Sequence, residues 1–284
     1  TDRRIRRRRR FWPRADRSVT GKDLTRMATV LPASGTRAPS GRQEAAESME
    51  ITAHPSPNFG PRRDDARIEL IVLHYTAIES AEAALDRHRD PKIEVSAHYL
   101  IAKDGTVYGL VDEAERAWHA GQGAWAGCDD VNSSSIGIEL DNDGASPFES
   151  AQMEALEALL ADLLERHGLE PKAVIGHSDM SPDRKSDPGP HFDWKRLSDK
   201  GLAVWADPSL PGDFLRNAAS FGYPVEHGEQ CVLQAFRSRF RPDASGPLGP
   251  ADRAMMAGLA RHHPADVTAR IARRVTSRPI RPMS

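Results

Sequence analysis

The chain is short of cysteine, of long apolar runs and of net charge, and each shortage narrows what it can be. Only two cysteines occur among 284 residues, Cys128 and Cys231, far apart in the chain. They form no CxxC pair and offer no disulfide framework, which leaves the redox compartment open. No apolar stretch approaches the roughly 20 residues needed to span a bilayer. The longest comparable run, Ile68 to Leu73, is of strand length and is interrupted by Glu69. The formal net charge is only −2, although Arg6 to Arg10 form an unbroken basic run. A nucleic-acid binder would carry its positive charge more uniformly, so no nucleic-acid partner is expected. The N-terminal arginines are not followed by an apolar core or a small-residue cleavage site, so they do not make a secretory signal. A cytoplasmic location is therefore expected for the sequence as it stands, and a periplasmic one if the true N-terminus differs. The chain begins with Thr1, and Met49 is an alternative initiator.

What is present divides the chain into four stretches. Residues 1–60 are rich in Arg, Ser, Pro, Gly and Thr without periodicity, which reads as a disordered extension. Residues 61–206 alternate strands and helices. IELIVLHY at 68–75 is a nearly continuous apolar strand, and residues 79–88 suit a helix. AHYLIA and TVYGLV flank Lys103-Asp104-Gly105, a hairpin signal, and SSSIGIEL at 133–140 is a further strand. A helix is expected from Pro147 to His167, capped by Ser146 with Glu149 completing a capping box and Gly168 ending it. A short strand over 173–175 then leads into a long polar loop, 176–190. The fold class that follows is α/β, a mixed central sheet flanked by helices. Residues 207–263 read as a small three-helix domain with helices at 211–220, 227–240 and 250–261, and 264–284 as a tail.

The residues able to carry chemistry lie in the second stretch. His74 ends the IVLHY strand, while His177 and Asp187 lie on GHSDMSPDRKSDPGP. Two imidazoles and a carboxylate suit a catalytic zinc, which takes three protein ligands and keeps its fourth position open. Taken singly, each is equally compatible with an ordinary hydrogen-bonded side chain. Glu139 sits between Ile138 and Leu140 in a strand that otherwise reads as core. Strand alternation could turn it outward to water, or it could be a general base aimed at a metal-activated water. Lys185, two residues before Asp187, is either a solvated lysine or a cation placed to stabilise an oxyanion.

Together the motifs resemble a known family. LHYTA at 73–77, SAHYLIAKDGTVY at 96–108, AWHAG at 117–121, SIGIEL at 135–140 and GHSDMSPDRKSDPGP at 176–190 are similar, in order and interval, to the AmpD-like N-acetylmuramoyl-L-alanine amidases. The resemblance spans residues 65–200 and implies a Zn2+ cofactor held by His74, His177 and Asp187. It also implies that Glu139 is the catalytic carboxylate and Lys185 the transition-state stabiliser. Phage-type amidases and peptidoglycan-recognition proteins differ: they have Tyr where this chain has Ala97, lack a counterpart of Glu139, and use Cys in place of Asp187. The implied substrate is the muramoyl–L-alanine amide of peptidoglycan or its muropeptides. A competing class is a peptidoglycan-recognition module that binds without catalysis. His98 and His119 could contact substrate or order the sheet, and Asn132 could bind the peptide stem. FGYPV at 221–225, AFRSRFRP at 235–242 and GPLGPADRAMMAGL at 246–259 are similar to a helical peptidoglycan-binding module, with Ser245-Gly246 where such modules have Asp-Gly.

Overall fold

The computed structural model describes residues 49–265. The Arg-rich run, the rest of 1–48 and the tail beyond residue 265 lie outside the described residues. In chain order the elements are β1 (Ile51–Ala53), β2 (Phe59–Pro61), β3 (Leu70–Tyr75), α1 (Ala81–Arg89), β4 (Tyr99–Ile101), β5 (Val107–Gly109) and β6 (Glu115–Ala117). They continue with α2 (Val131–Ser134), β7 (Ser135–Leu140), α3 (Ser150–His167), β8 (Val174–Gly176) and α4 (His177–Met180). Last come α5 (Trp194–Asp199), α6 (Phe214–Phe221), α7 (Glu229–Phe240) and α8 (Pro250–His262). Six strands form one sheet in the order β1-β5-β4-β7-β3-β8, and β2 pairs with β6 in a separate ribbon. β4 and β5 are antiparallel, while β4, β7, β3 and β8 run parallel to one another. The mixed sheet expected from the sequence is therefore present.

The position of β3 in the sheet explains its composition. A central strand covered on both faces is apolar at successive positions, and period-two alternation divides its side chains between the two layers. Ile71 and Leu73 join Ile136, Ile138 and Leu140 of β7 in a core against α3, where Met153, Leu156, Leu159, Leu160 and Leu163 form the buried stripe. Leu70 and Val72 point the other way, into a core shared with Ile175, Met180 and Trp125. That second core also contains Phe214, Phe221, Val232, Leu233, Phe236, Phe240, Met256 and Leu259 of α6, α7 and α8. These three helices, expected from their own apolar stripes, thus share one continuous core with the sheet. Among the described residues no helix is long and apolar enough to cross a membrane.

Three local expectations need correction. Residues 49–60 carry β1 and the first two residues of β2, which pair along their partners despite a composition that reads as extension. Strands of three residues are too short to leave a periodic pattern. α3 starts at Ser150 with Glu149 as N-cap, and no side chain caps it. Ser146 is drawn into a turn instead: its N–H and hydroxyl bond the Asp143 carboxylate, and the Ser146 and Pro147 carbonyls accept from Asn142 Nδ2. The helix end was correctly placed, since Gly168 takes the left-handed conformation at φ 61°. Finally, the 176–190 stretch opens with α4, and His177 to Ser181 are all buried. The sequence reads as a polar loop throughout, because the partners that bury this turn come from distant segments.

Candidate metal centre

β3 and β8 are neighbours in parallel register, with Leu73 opposite Gly176. The residues that follow, His74 and His177, therefore emerge side by side at the strand ends, their ring centroids 4.6 Å apart. The chain then loops back, and the Ser178 N–H donates to the Asp187 carbonyl at 2.9 Å, which returns the Asp187 carboxylate to the same place. His74 Nδ1 lies 3.0 Å from His177 Nδ1 and 2.9 Å from Asp187 Oδ2, and His177 Nδ1 lies 3.0 Å from the same oxygen. All three side chains are buried, at 2%, 3% and 8% exposure. The sequence placed these three together, and the structure brings them together as a set able to hold a metal ion.

The hydrogen bonds behind the ligands fix which nitrogen of each ring is free. The Ser135 hydroxyl donates to the Val131 carbonyl, so its oxygen can only accept from His119 Nε2, 3.1 Å away. His119 Nδ1 is then unprotonated and accepts from His74 Nε2 at 3.0 Å. His177 Nε2 donates to the Ala120 carbonyl at 2.9 Å. With both rings neutral, as metal ligation requires, each turns an unprotonated Nδ1 toward a carboxylate oxygen. Three lone pairs about 3 Å apart with no proton between them repel, and a cation relieves that repulsion. Backbone and hydroxyl partners of this kind are what orient metal-binding histidines. Burial, reinforced by the neighbouring His177, lowers the His74 pKa to about 4, which keeps its ring neutral.

Glu139 stands beside this cluster. It is the register partner of His74 across β3 and β7, on the sheet face opposite α3. It is half-buried, and its Oε2 is buried without a hydrogen-bond partner. Burial, with the negative Asp187 nearby, pushes its pKa well above the usual carboxylate value, and Lys185 opposes the shift. Lys185 itself is exposed, and its backbone N–H bonds the Ser181 carbonyl. Its charge is felt at both Glu139 and His74.

The other three candidates hold the site from behind. His98 is wholly buried; Nδ1 accepts from Gly137 N–H at 2.9 Å and Nε2 lies 3.2 Å from the Glu115 carbonyl and from Arg62. No atom of it remains for a substrate, so it orders the sheet. Asn132 Oδ1 accepts from the backbone N–H groups of His119 and Ala120, at 3.0 and 2.8 Å. It thereby seats the very residues that bond His74 and His177. His119 is half-buried and faces Gly137, where a Cβ would fall 2.4 Å from its ring. Ser135, the Ala120 carbonyl and Arg62 were not singled out from the sequence. Arg62 donates to the Glu113, Ser133 and Ser135 carbonyls, and contacts to main-chain atoms leave no residue signature to read.

Comparison with known proteins identifies the family. A family model described as N-acetylmuramoyl-L-alanine amidase matches residues 64–190, which include His74, Glu139, His177, Lys185 and Asp187. The N-acetylmuramoyl-L-alanine amidase AmiD of Escherichia coli is 36% identical over 212 residues, 62% of this chain and 76% of that protein. The 1,6-anhydro-N-acetylmuramyl-L-alanine amidase AmpD of Escherichia coli is 35% identical over 160 residues, 50% of this chain and 87% of AmpD. AmiD solved in complex with the substrate anhydro-N-acetylmuramic acid-L-Ala-D-γ-Glu-L-Lys matches with a TM-score of 0.65 and 33% identity, over 73% of this chain and 92% of that one. AmpDh3 from Pseudomonas aeruginosa, solved with anhydromuramic pentapeptide, matches with a TM-score of 0.63 and 30% identity, over 78% and 98%. With a shared fold, a shared motif order and this coverage, the chain belongs to the N-acetylmuramoyl-L-alanine amidase family.

Proposed function

We propose that this amidase uses one zinc ion, held by His74, His177 and Asp187, to hydrolyse the amide between a muramoyl or anhydromuramoyl lactyl group and L-alanine. The observation that carries the metal is the convergence of His74 Nδ1, His177 Nδ1 and Asp187 Oδ2, each 2.9–3.0 Å from the others in a buried site. The substrate follows from the family and from the anhydromuramoyl peptides bound in the AmiD and AmpDh3 complexes. Zinc in such a site supplies Lewis acidity, polarising a carbonyl oxygen and acidifying a water.

The chain's own residues do the rest. Glu139 takes a proton from the attacking water and delivers it to the leaving amine nitrogen. Water and amide thus become a lactyl carboxylate and a free L-alanine amino group. Glu139 Oε2, buried without a hydrogen-bond partner, is free to accept that proton and return it. Lys185 places a positive charge near the carbonyl oxygen as it gains negative charge. His119, Asn132 and Ser135 hold the ligand rings in orientation. The likeness of the C-terminal helices to a peptidoglycan-binding module supports an additional role in contacting the cell-wall polymer. The test is release of free peptide from an anhydromuramoyl peptide, followed by mass spectrometry. Loss of release after metal stripping and its return with zinc support the reading. Undiminished release by protein verified to be metal-free refutes it.

A further inference from the structure

The turn that carries His177 is gripped from the C-terminal helices by fully buried polar groups. Asp179, in α4, is completely buried, and the residues that bind it, Arg239 and Tyr223, are 2% and 3% exposed. Asp179 Oδ2 accepts from the Gly176 N–H, immediately before His177, at 2.8 Å, and from the Arg239 guanidinium at 2.6 Å. Its Oδ1 accepts from the Tyr223 hydroxyl at 2.6 Å. Arg239 also donates to the Val174 carbonyl in β8 at 3.1 Å, and its guanidinium lies 4.0 Å from the Trp194 ring centroid. The strand-to-helix junction is therefore tied on both sides of His177.

The same helices reach the other element that fixes His177. Gly222 accepts from the Ala126 N–H at 2.9 Å, and Trp125 packs edge-on against Phe221 and Tyr223. Ala124 N–H donates to the Met180 carbonyl in α4 at 2.9 Å. This segment begins at Ala120, whose carbonyl takes the His177 Nε2 proton. Replacing a buried ion pair by apolar groups is often neutral or favourable for stability, so stability alone is a weak reason for it. A rigid, directional tie at a ligand-bearing turn gives it a different use.

We infer that Arg239, Asp179 and Tyr223 are positioning residues of the metal centre, so that the C-terminal helices are part of what sets metal affinity. This rests on the zinc reading above. It also gives the helices a task apart from any contact with the cell wall.

The experiment uses the full chain and two double variants. Asp179→Asn with Arg239→Met removes both charges together, so no unpaired charge stays buried. Arg237→Met with Asp252→Asn removes another ion pair of α7, one that ties it to α8 and touches neither α4 nor the 120–126 segment. Zinc dissociation constants come from competition with a chromophoric chelator, and the absorption of cobalt-substituted protein reports ligand geometry. The expected result is a loss of zinc affinity of about 10- to 100-fold, the usual effect of outer-shell changes, with an altered cobalt spectrum for the first variant only. Unchanged affinity and spectrum in the first variant overturn the inference while leaving the zinc reading intact. An equal loss in both variants also overturns it, by showing that general loosening of the helices suffices. A wild-type protein that binds no zinc removes the zinc reading and the inference together.

Discussion

Replacing Glu139 by Gln should change activity and stability in opposite directions. The substitution keeps the side chain's size, and therefore its place between Ile138 and Leu140, while removing the charge. In the metal-free protein the carboxylate is in an unfavourable place: Oε2 is buried with no partner, and Asp187 adds negative charge nearby. A carboxyl group whose pKa is raised on folding destabilises the folded state as pH rises from its unfolded pKa through the folded one, because the folded state then gives up a proton it held more tightly. Glu139→Gln should therefore raise the melting temperature of the metal-free protein at neutral and alkaline pH and have little effect at acid pH. Turnover should fall by about 100- to 10,000-fold, the range for loss of general acid–base catalysis. The wild-type enzyme should lose kcat/KM as pH falls through the titration of Glu139, and the variant's residual activity should lack that limb. Peptide release followed by chromatography across pH, with zinc content and thermal melts on the same preparations, gives all three readouts. A variant that loses its zinc yet turns over normally when zinc is supplied would refute the reasoning, since Glu139 would then be a ligand and not a base.

Other perturbations address the frame around it. His177→Ala should abolish both stoichiometric zinc and activity, measured by metal analysis and peptide release. Gly137→Ala should push His119 off its bond to His74, since the new Cβ would fall 2.4 Å from the ring, and so weaken zinc binding about 10- to 100-fold in chelator competition. Deleting residues from 207 onward should abolish cooperative thermal unfolding. It strips Phe214, Phe221, Phe236 and Phe240 from the core that covers Trp125, Met180 and Ile175. At about 1.5–3 kcal/mol per buried large side chain, the loss rivals the roughly 5–15 kcal/mol that holds a domain folded. A truncation that melts as sharply as the full chain would contradict this.

The fold was legible where the pattern was long. Eighteen helical residues of α3 repeat their apolar stripe and stop at Gly168, and β3 is apolar at nearly every position because both faces are covered. Three-residue strands such as β1 and β2 offered nothing comparable, so residues 49–60 resembled a linker until their pairing was seen. The partition of the C-terminal helices was hidden for another reason. An amphipathic stripe shows that a helix buries one face, and does not show what covers it. Here the stripe of α7 is covered partly by Trp125 and Met180, more than 50 residues earlier in the chain.

At the site, the proposed ligands and the groups that would orient them were legible to different degrees. His74, His177 and Asp187 are metal-ligating side-chain types in a recognisable order, and Glu139 stood out as a carboxylate in an apolar strand. The groups that decide how those ligands bind are ordinary ones: the Ala120 and Val131 carbonyls, the Ser135 hydroxyl and the absent Cβ of Gly137. Yet they determine the tautomer of each ring. Reversing one donor in the Val131–Ser135–His119–His74 chain would put a proton on His74 Nδ1 and close that nitrogen to the metal. His98 and His119 illustrate the same point, since two histidines on one sheet face have different work. His98 is enclosed by backbone groups and orders strands, whereas His119 passes the orientation of Ser135 on to a ligand. On the proposed mechanism, activity in this chain depends on atoms shared by all residues as much as on the few side chains that bear the chemistry.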